Sequence, residues 1–207
     1  MKIKFYAFII LLGVLACHSQ KKEKAIIIGG PCEGCEALHE YGNKMLTSTD
    51  TLPKFAQNEP KIKITGTVYQ IDGKTPAENV IIYIYQTNRK GIYERKGNEK
   101  GWARRHGYIR GWVRTGKDGR YTFYTFRPAS YPDRRDPEHI HVTVKEPDKN
   151  EYYLDDFVFD DDPLLIKSER IKLRNRGGSG ISLPVLKNGI NTIERDIILG
   201  LNIPNYQ

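Results

Sequence analysis

Residues 130–144 read SYPDRRDPEHIHVTV. His139 and His141 stand two apart in a run rich in β-branched residues, and on a strand residues two apart project to the same face. Two imidazoles on one face can hold one metal ion when further ligands arrive from elsewhere. Two tyrosines are candidates for that role. Tyr131 lies in the Pro-bounded turn RPASYP just before the histidine strand, and Tyr93 lies in the basic, glycine-containing loop TNRKGIYERKG. Tyr121 and Tyr124 fall inside a strand instead, where a ring serves to pack. Each feature also has a plain alternative. A His-x-His pair is ordinary polar surface on many exposed strands, and a loop tyrosine is often a half-buried ring with a satisfied hydroxyl.

The elements that must position these residues are strands. KIKITGTVYQIDGKTP alternates polar and apolar residues and then turns at Asp72-Gly73. NVIIYIYQT is a near-continuous apolar run suited to a buried strand, and VRTGKDGRYTFYTF turns at Asp118-Gly119 into a second alternating run. ISLPVLKNGINTIERDIIL holds two strand-like runs about an Asn-Gly turn, the strongest short-range hairpin signal. The reading is an all-β, antiparallel β-sandwich with few short helices. Asp162 before Pro163 reads as an N-cap opening a helix over PLLIKSERIKL, and EGCEALHEYGNKML reads as a short helix. Residues 47–60 read as connector, and RGGSG at 176–180 as a turn, because it lacks the Lys-Ser/Thr of a phosphate loop.

A chain of 207 residues suits one domain with a sizeable core. Its 13 tyrosines favour strands over helices. The net charge of +8 is spread in mixed runs, which reads as solvated surface and argues against a nucleic-acid partner, where one basic stripe is the rule.

The N-terminus reads as a signal peptide over residues 1–16. Lys2 and Lys4 precede an apolar run from Phe5 to Leu15, too short for a stable membrane span. GVLAC then resembles the lipobox of bacterial lipoproteins, which implies a mature chain starting at Cys17 and anchored there by lipid in the cell envelope. Loss of the two lysines lowers the charge to +6. Residues 17–60 read as a tether and an N-terminal segment carrying Cys32 and Cys35, and residues 61–207 as the β-sandwich domain. In an oxidising compartment the close cysteine pair makes a disulfide by default. A zinc site using Cys32, Cys35 and His39, or a redox site, is the lesser alternative.

TGTV, GIY, RGWVRTGKDGRYTF, RPASYP and EHIHV occur in that order. Together they resemble the intradiol ring-cleavage dioxygenases, over about residues 61–163. The likeness continues through RDIILGLNIPNY at the C-terminus. The resemblance implies a prealbumin-like sandwich core and a non-haem Fe(3+) centre with Tyr93, Tyr131, His139 and His141 as protein ligands. It implies a small aromatic diol and O2 as substrates, the ring being cut between its two hydroxylated carbons. Tyr131 would be the tyrosine displaced by substrate and would act as its base, while Tyr93 stays bound. Ferric iron is a hard acceptor suited to oxygen anions, and beside it a phenol that ordinarily titrates near 10 becomes a phenolate.

Two positions depart from the family pattern. Many relatives have an arginine three residues before the first histidine, where this chain has Asp136. Arg135, one residue away, is the arginine expected to take the catalytic role. A Thr-Gln pair of relatives is replaced by Asp155 and Asp156, and an acid there could repel a catecholate. This implies a different substrate or a lost activity. The basic stretch RKGNEKGWARRHG after Tyr93 is expected either to overhang the centre and recruit an anionic aromatic acid through Trp102, Arg104, Arg105 and His106, or to be a solvated loop. The competing function is a non-catalytic envelope β-sandwich that binds or spaces, which shares the fold but has no need of the four ligands in register.

Overall fold

Strand periodicity governs the chain. A computed structural model, describing residue 1, residues 27–133 and residues 135–207, places two six-stranded sheets face to face. The segment expected to be a signal peptide, beyond Met1, and Cys17 lie outside the described residues. Among the described residues, no helix is long and apolar enough to cross a membrane.

The first sheet runs β1 (Thr49–Thr51), β5 (Arg120–Phe126), β2 (Lys61–Tyr69), β11 (Ile190–Glu194) and β10 (Val185–Lys187), with β12 (Ile197–Ile198) also paired to β2. The second runs β4 (Arg110–Arg114), β3 (Ile81–Tyr85), β6 (His139–Lys145), β8 (Phe157–Phe159) and β9 (Ile181–Ser182), with β7 (Tyr152–Tyr153) on β6. Alternating residues of the two inner faces fill the space between them: Ile62, Ile64 and Val68 of β2, Tyr121 and Phe123 of β5, Ile82 and Ile84 of β3, and Ile140, Val142 and Val144 of β6. The Asn-Gly hairpin forms between β10 and β11, with Asn188 and Gly189 both at positive φ, as that turn requires.

The sandwich is mixed rather than purely antiparallel. The pairs β2–β5, β3–β4, β3–β6, β6–β7, β6–β8 and β10–β11 are antiparallel, and of these β10–β11 is the tight Asn-Gly hairpin. The pairs β1–β5, β2–β11, β2–β12 and β8–β9 are parallel. Turn chemistry sets strand direction only for strands joined by short turns. Partners that meet after a crossover are free of it.

The near-continuous apolar run of β3 has a specific cause. Ile82 and Ile84 face the inter-sheet core, while Tyr83 on the opposite face is buried in a second cluster with Trp112, Ala37 and Leu38. Ala37 and Leu38 belong to a 3-10 helix, Cys35–His39, that covers the outer face of the second sheet. The described part of the N-terminal segment is therefore built into the sandwich, and β1 inside the expected connector pairs with β5. Cys32 and Cys35 are joined in a disulfide. With the sulfurs bonded to each other and His39 paired to Glu151 at 3.2 Å, no zinc-ligating set remains there.

Among the described residues the α-helices are two and short: α1 (Ala103–His106) and α2 (Lys167–Lys172). The second begins later than Asp162 suggests. The Asp162 carboxylate accepts from Leu164 N at 2.8 Å and from Glu138 N at 2.6 Å. It therefore closes an Asx-type turn and ties that turn to the entry of β6, instead of capping a helix.

Candidate metal centre

Strand β6 sets the first pair. Ile140 is fully buried in the inter-sheet core, so His139 and His141 project from the other face, half-buried. Each is flanked across the sheet, His141 by Tyr85 and His139 by Val158. The Tyr85 ring stacks on His141 with centroids 4.4 Å apart and on the buried His106 at 3.8 Å. Such stacks are worth about 0.5–1.5 kcal/mol each and here fix the plane of the His141 ring.

The tyrosines arrive on two loops pressed together. After β3, Asn88 Oδ1 accepts from Lys90 N at 2.8 Å and Ile92 N at 3.2 Å, and Gly91 N donates to Asn88 O at 3.1 Å. This tight turn needs Gly91 at φ 74° and delivers Tyr93. The second loop is tied to it. Thr87 Oγ1 donates to Ala129 O at 2.7 Å and Ala129 N to Asn88 O at 3.1 Å, two residues before Tyr131.

The four side chains end at one point. Tyr93 Oη lies 2.6 Å from Tyr131 Oη and 2.7 Å from His141 Nε2. Tyr131 Oη lies 3.2 Å from His139 Nε2 and 3.4 Å from His141 Nε2, and the two Nε2 atoms are 3.2 Å apart. Ligand atoms about 2 Å from a common metal, at angles between a right angle and the tetrahedral value, are themselves about 3 Å apart. The observed spacings fit that arrangement.

The protonation pattern fits as well. His139 Nδ1 lies 2.7 Å from Pro137 O, and a carbonyl only accepts. The proton is therefore on Nδ1, and Nε2 offers its lone pair to the cluster. His141 Nδ1 faces both oxygens of Asp156, at 3.2 Å and 3.1 Å, with the same consequence. Burial pushes the Tyr93 hydroxyl far above the ordinary phenol range, and its bond to Tyr131 adds to this. Burial also raises Tyr131 and lowers His139, the latter helped by the neighbouring His141. Burial works against the Asp156 carboxylate, but His141 outweighs it and holds Asp156 below its usual range. Among the described residues no lysine or arginine bonds any of the four donor atoms. Two phenols and two imidazole lone pairs thus converge on one another, and a metal ion held there would stabilise the phenolates and reverse the phenol preference.

Two cavities open on the cluster. One, of about 320 Å³, is bounded by Tyr131, His139, His141, Asp136, Val158 and Leu165. The other, of about 310 Å³, lies between His141, Asp156 and Tyr85 on one side and the Cys32–Cys35 loop on the other. Tyr131 lines the first cavity and Tyr93 lines neither.

The structure does not bring Arg135 to the cluster. Its side chain is 83% exposed and lies 3.6 Å from Asp133. Asp136, not Arg135, lines the first cavity. The basic stretch after Tyr93 does not overhang the centre. Arg105 pairs with Glu33, Arg104 Nε donates to Glu99 O at 3.2 Å, and Trp102 N donates to Glu40 at 2.7 Å. His106 points inward to Tyr83 Oη at 2.9 Å. The segment packs on the N-terminal arm instead. Sequence reasoning passed over Tyr85 and the contact between Asp156 and His141, while Asp156, read in sequence as an acid near the substrate, does line both cavities. Tyr85 is signalled only by a cross-strand register, and Asp156 by its contact with His141 rather than by any spacing.

A family model described as Dioxygenase matches residues 40–175. Among solved structures, the chain is similar to the dioxygenase domain of a dioxygenase carbohydrate-binding protein fusion from a Streptomyces species. The identity is 20%, the TM-score 0.56, and 77% of this chain and 94% of that chain are covered. It is similar to a hydroxyquinol 1,2-dioxygenase from Pseudomonas putida at 16% identity and TM-score 0.56, covering 87% of this chain and 68% of that one. It is also similar to a catechol 1,2-dioxygenase from an Acinetobacter species at 16% identity and TM-score 0.52, covering 73% of this chain and 56% of that one. At these identities the structural likeness is one of fold. No curated protein matches the chain by sequence.

Proposed function

The chain belongs to the intradiol dioxygenase family, and on that premise we propose that it is a non-haem Fe(3+) dioxygenase cleaving a catechol-type ring between its two hydroxylated carbons. One carbon–carbon bond breaks and both atoms of O2 enter the two new carboxyl groups, so no external reductant is consumed. The observation that supports this most is the convergence of Tyr93, Tyr131, His139 and His141, each within hydrogen-bonding distance of at least two of the others. A ferric ion held by these four residues supplies a hard, strongly charged acceptor for the oxygens of the diol.

The chain's own groups divide the remaining work. Tyr131 lines the cavity beside Val158 and Leu165, so as a phenolate it is the group within reach of a substrate hydroxyl proton. Tyr93, which lines neither cavity, serves as the constant anchor. Val158, Leu165 and Leu173 give the cavity an apolar wall against which an aromatic ring packs, and its volume suits a single ring.

The test is spectroscopic and then kinetic. Ferric loading should give a tyrosinate charge-transfer band at one iron per chain, shifted in Tyr93→Phe and in Tyr131→Phe. Oxygen uptake should follow addition of catechol, hydroxyquinol or protocatechuate. Stoichiometric iron with no such band would favour the non-catalytic binding module.

The N-terminal pattern of lysines, an apolar run and GVLAC supports a lipid anchor on Cys17 and a place in the cell envelope. Metabolic labelling with a fatty-acid analogue should mark the protein, and Cys17→Ser should abolish the label.

A further inference from the structure

Asp156 stands on the opposite edge of the His141 ring from the phenols. Both its carboxylate oxygens lie on Nδ1, at 3.2 Å and 3.1 Å, and they have no other hydrogen-bond partner among the described residues. A carboxylate accepts, so this contact places the proton on Nδ1 and turns the Nε2 lone pair toward Tyr93, Tyr131 and His139. Tyr85 stacks on the face of the same ring. Stacking sets the plane of an imidazole but does not choose which nitrogen carries the proton. His139, His141 and Asp156 each offer a ligand atom within 4.8 Å of the others. Because the Asp156 oxygens face Nδ1 while the phenols face Nε2, the carboxylate acts through the ring rather than beside it.

Asp156 is also clamped from behind, by the glycine-rich stretch that reads in sequence as a plain turn. Val158 N donates to Gly180 O at 3.0 Å, and a side chain at Gly180 would place its Cβ 2.1 Å from Asp156 O. Next to it, Asn175 N donates to the Asp155 carboxylate at 2.6 Å. The buried Arg195 donates to Asp155 O at 2.7 Å and to Arg176 O at 3.2 Å. The backbone carrying Asp156 is therefore fixed on both sides before β8 begins.

We infer that Asp156 is the positioning residue of His141: it holds the Nδ1–H tautomer and aims Nε2 at the centre, with the Arg176–Gly180 stretch and Arg195 keeping it in place. Its metal readout rests on the four-ligand reading above, whereas its tautomer readout does not. Partners of this kind typically change metal affinity by about 10–100-fold.

The experiment is nitrogen NMR of the metal-free protein with labelled histidine, above the ordinary imidazole titration range, followed by ferric titration. Wild type should show His141 protonated on Nδ1. In Asp156→Leu the ring should relax toward the Nε2–H form, and the ferric dissociation constant should rise about 10–100-fold. The melting temperature of the metal-free variant should stay near wild type. Gly180→Ala, which leaves the carboxylate in the chain but displaces its backbone, should weaken iron in the same direction. A wild-type His141 carrying its proton on Nε2 overturns the inference without any variant, as does an Nδ1–H form that survives in Asp156→Leu. A tautomer that shifts as expected, in a protein whose iron gives no tyrosinate band, upholds Asp156 and overturns the ligand reading instead.

Discussion

Gly91 lies so close to Ser130 that a methyl group on it would stand 2.0 Å from the Ser130 carbonyl oxygen. The two tyrosine-bearing loops are thereby in register before either tyrosine is considered. Gly91 also has φ 74°, where an L side chain costs on the order of 1–2 kcal/mol from the backbone alone. Gly91→Ala should lower stability by at least that much in a urea titration. It should also separate the 2.6 Å pair Tyr93–Tyr131, and so weaken or abolish ferric binding. Unchanged iron affinity in a destabilised variant would show that the contact matters to the fold alone.

The two tyrosines should not behave alike. Of the two, Tyr131 lines the cavity beside Val158 and Leu165 and Tyr93 does not. If it takes the substrate proton, Tyr131→Phe should reduce kcat by about 10²–10⁴-fold while iron remains bound through the other three groups. Tyr93→Phe removes an anchor, so its first effect should be on ferric affinity. Stopped-flow turnover beside an equilibrium iron titration separates the two, and equal losses in both variants would remove the division of roles.

How much of this could be read in the sequence follows from the range of each interaction. Strand positions, the Asn188-Gly189 hairpin and the shared face of His139 and His141 are set by local periodicity, and they are legible. The candidate set of four rests on ordered motifs. Parallel pairing of β2 with β11 joins residues some 130 positions apart, a distance over which no turn signal acts. The start of α2 was hidden because Asp162 spends its second oxygen on Glu138, a tertiary bond no local rule anticipates. Asp156 is visible in sequence only as an acid in an unusual slot, and its partner becomes clear when β6 and β8 lie side by side.

The buried His106 should make the fold acid-sensitive. Burial lowers its pKa from 6.5 to about 4, with the nearby His141 and Arg110 helping. The folded state therefore keeps this ring neutral while the unfolded chain protonates it. Its contribution to stability is complete above the unfolded value of 6.5 and is lost as pH falls from there toward about 4. The full effect is on the order of 2–4 kcal/mol. Urea midpoints taken across that window should fall in wild type and fall less in His106→Gln. Parallel curves for the two proteins would assign the acid sensitivity to other groups.

Arg135 stands apart from the cluster that its place in the sequence would serve. The family pattern leads one to expect an arginine beside the reacting ring, yet Arg135 is 83% exposed and faces Asp133, while Asp136 lines the cavity. An exposed ion pair of this kind contributes little. Arg135→Ala should therefore leave kcat/KM for a plain catechol within about twofold, well below the ~1.4 kcal/mol that a tenfold change represents. Asp136→Asn, which removes a negative charge from the cavity wall, should instead raise the apparent affinity for a carboxylated catechol more than for an uncharged one. A loss of 100-fold or more in Arg135→Ala, with unchanged iron binding, would mean that Arg135 reaches the ring once substrate is bound.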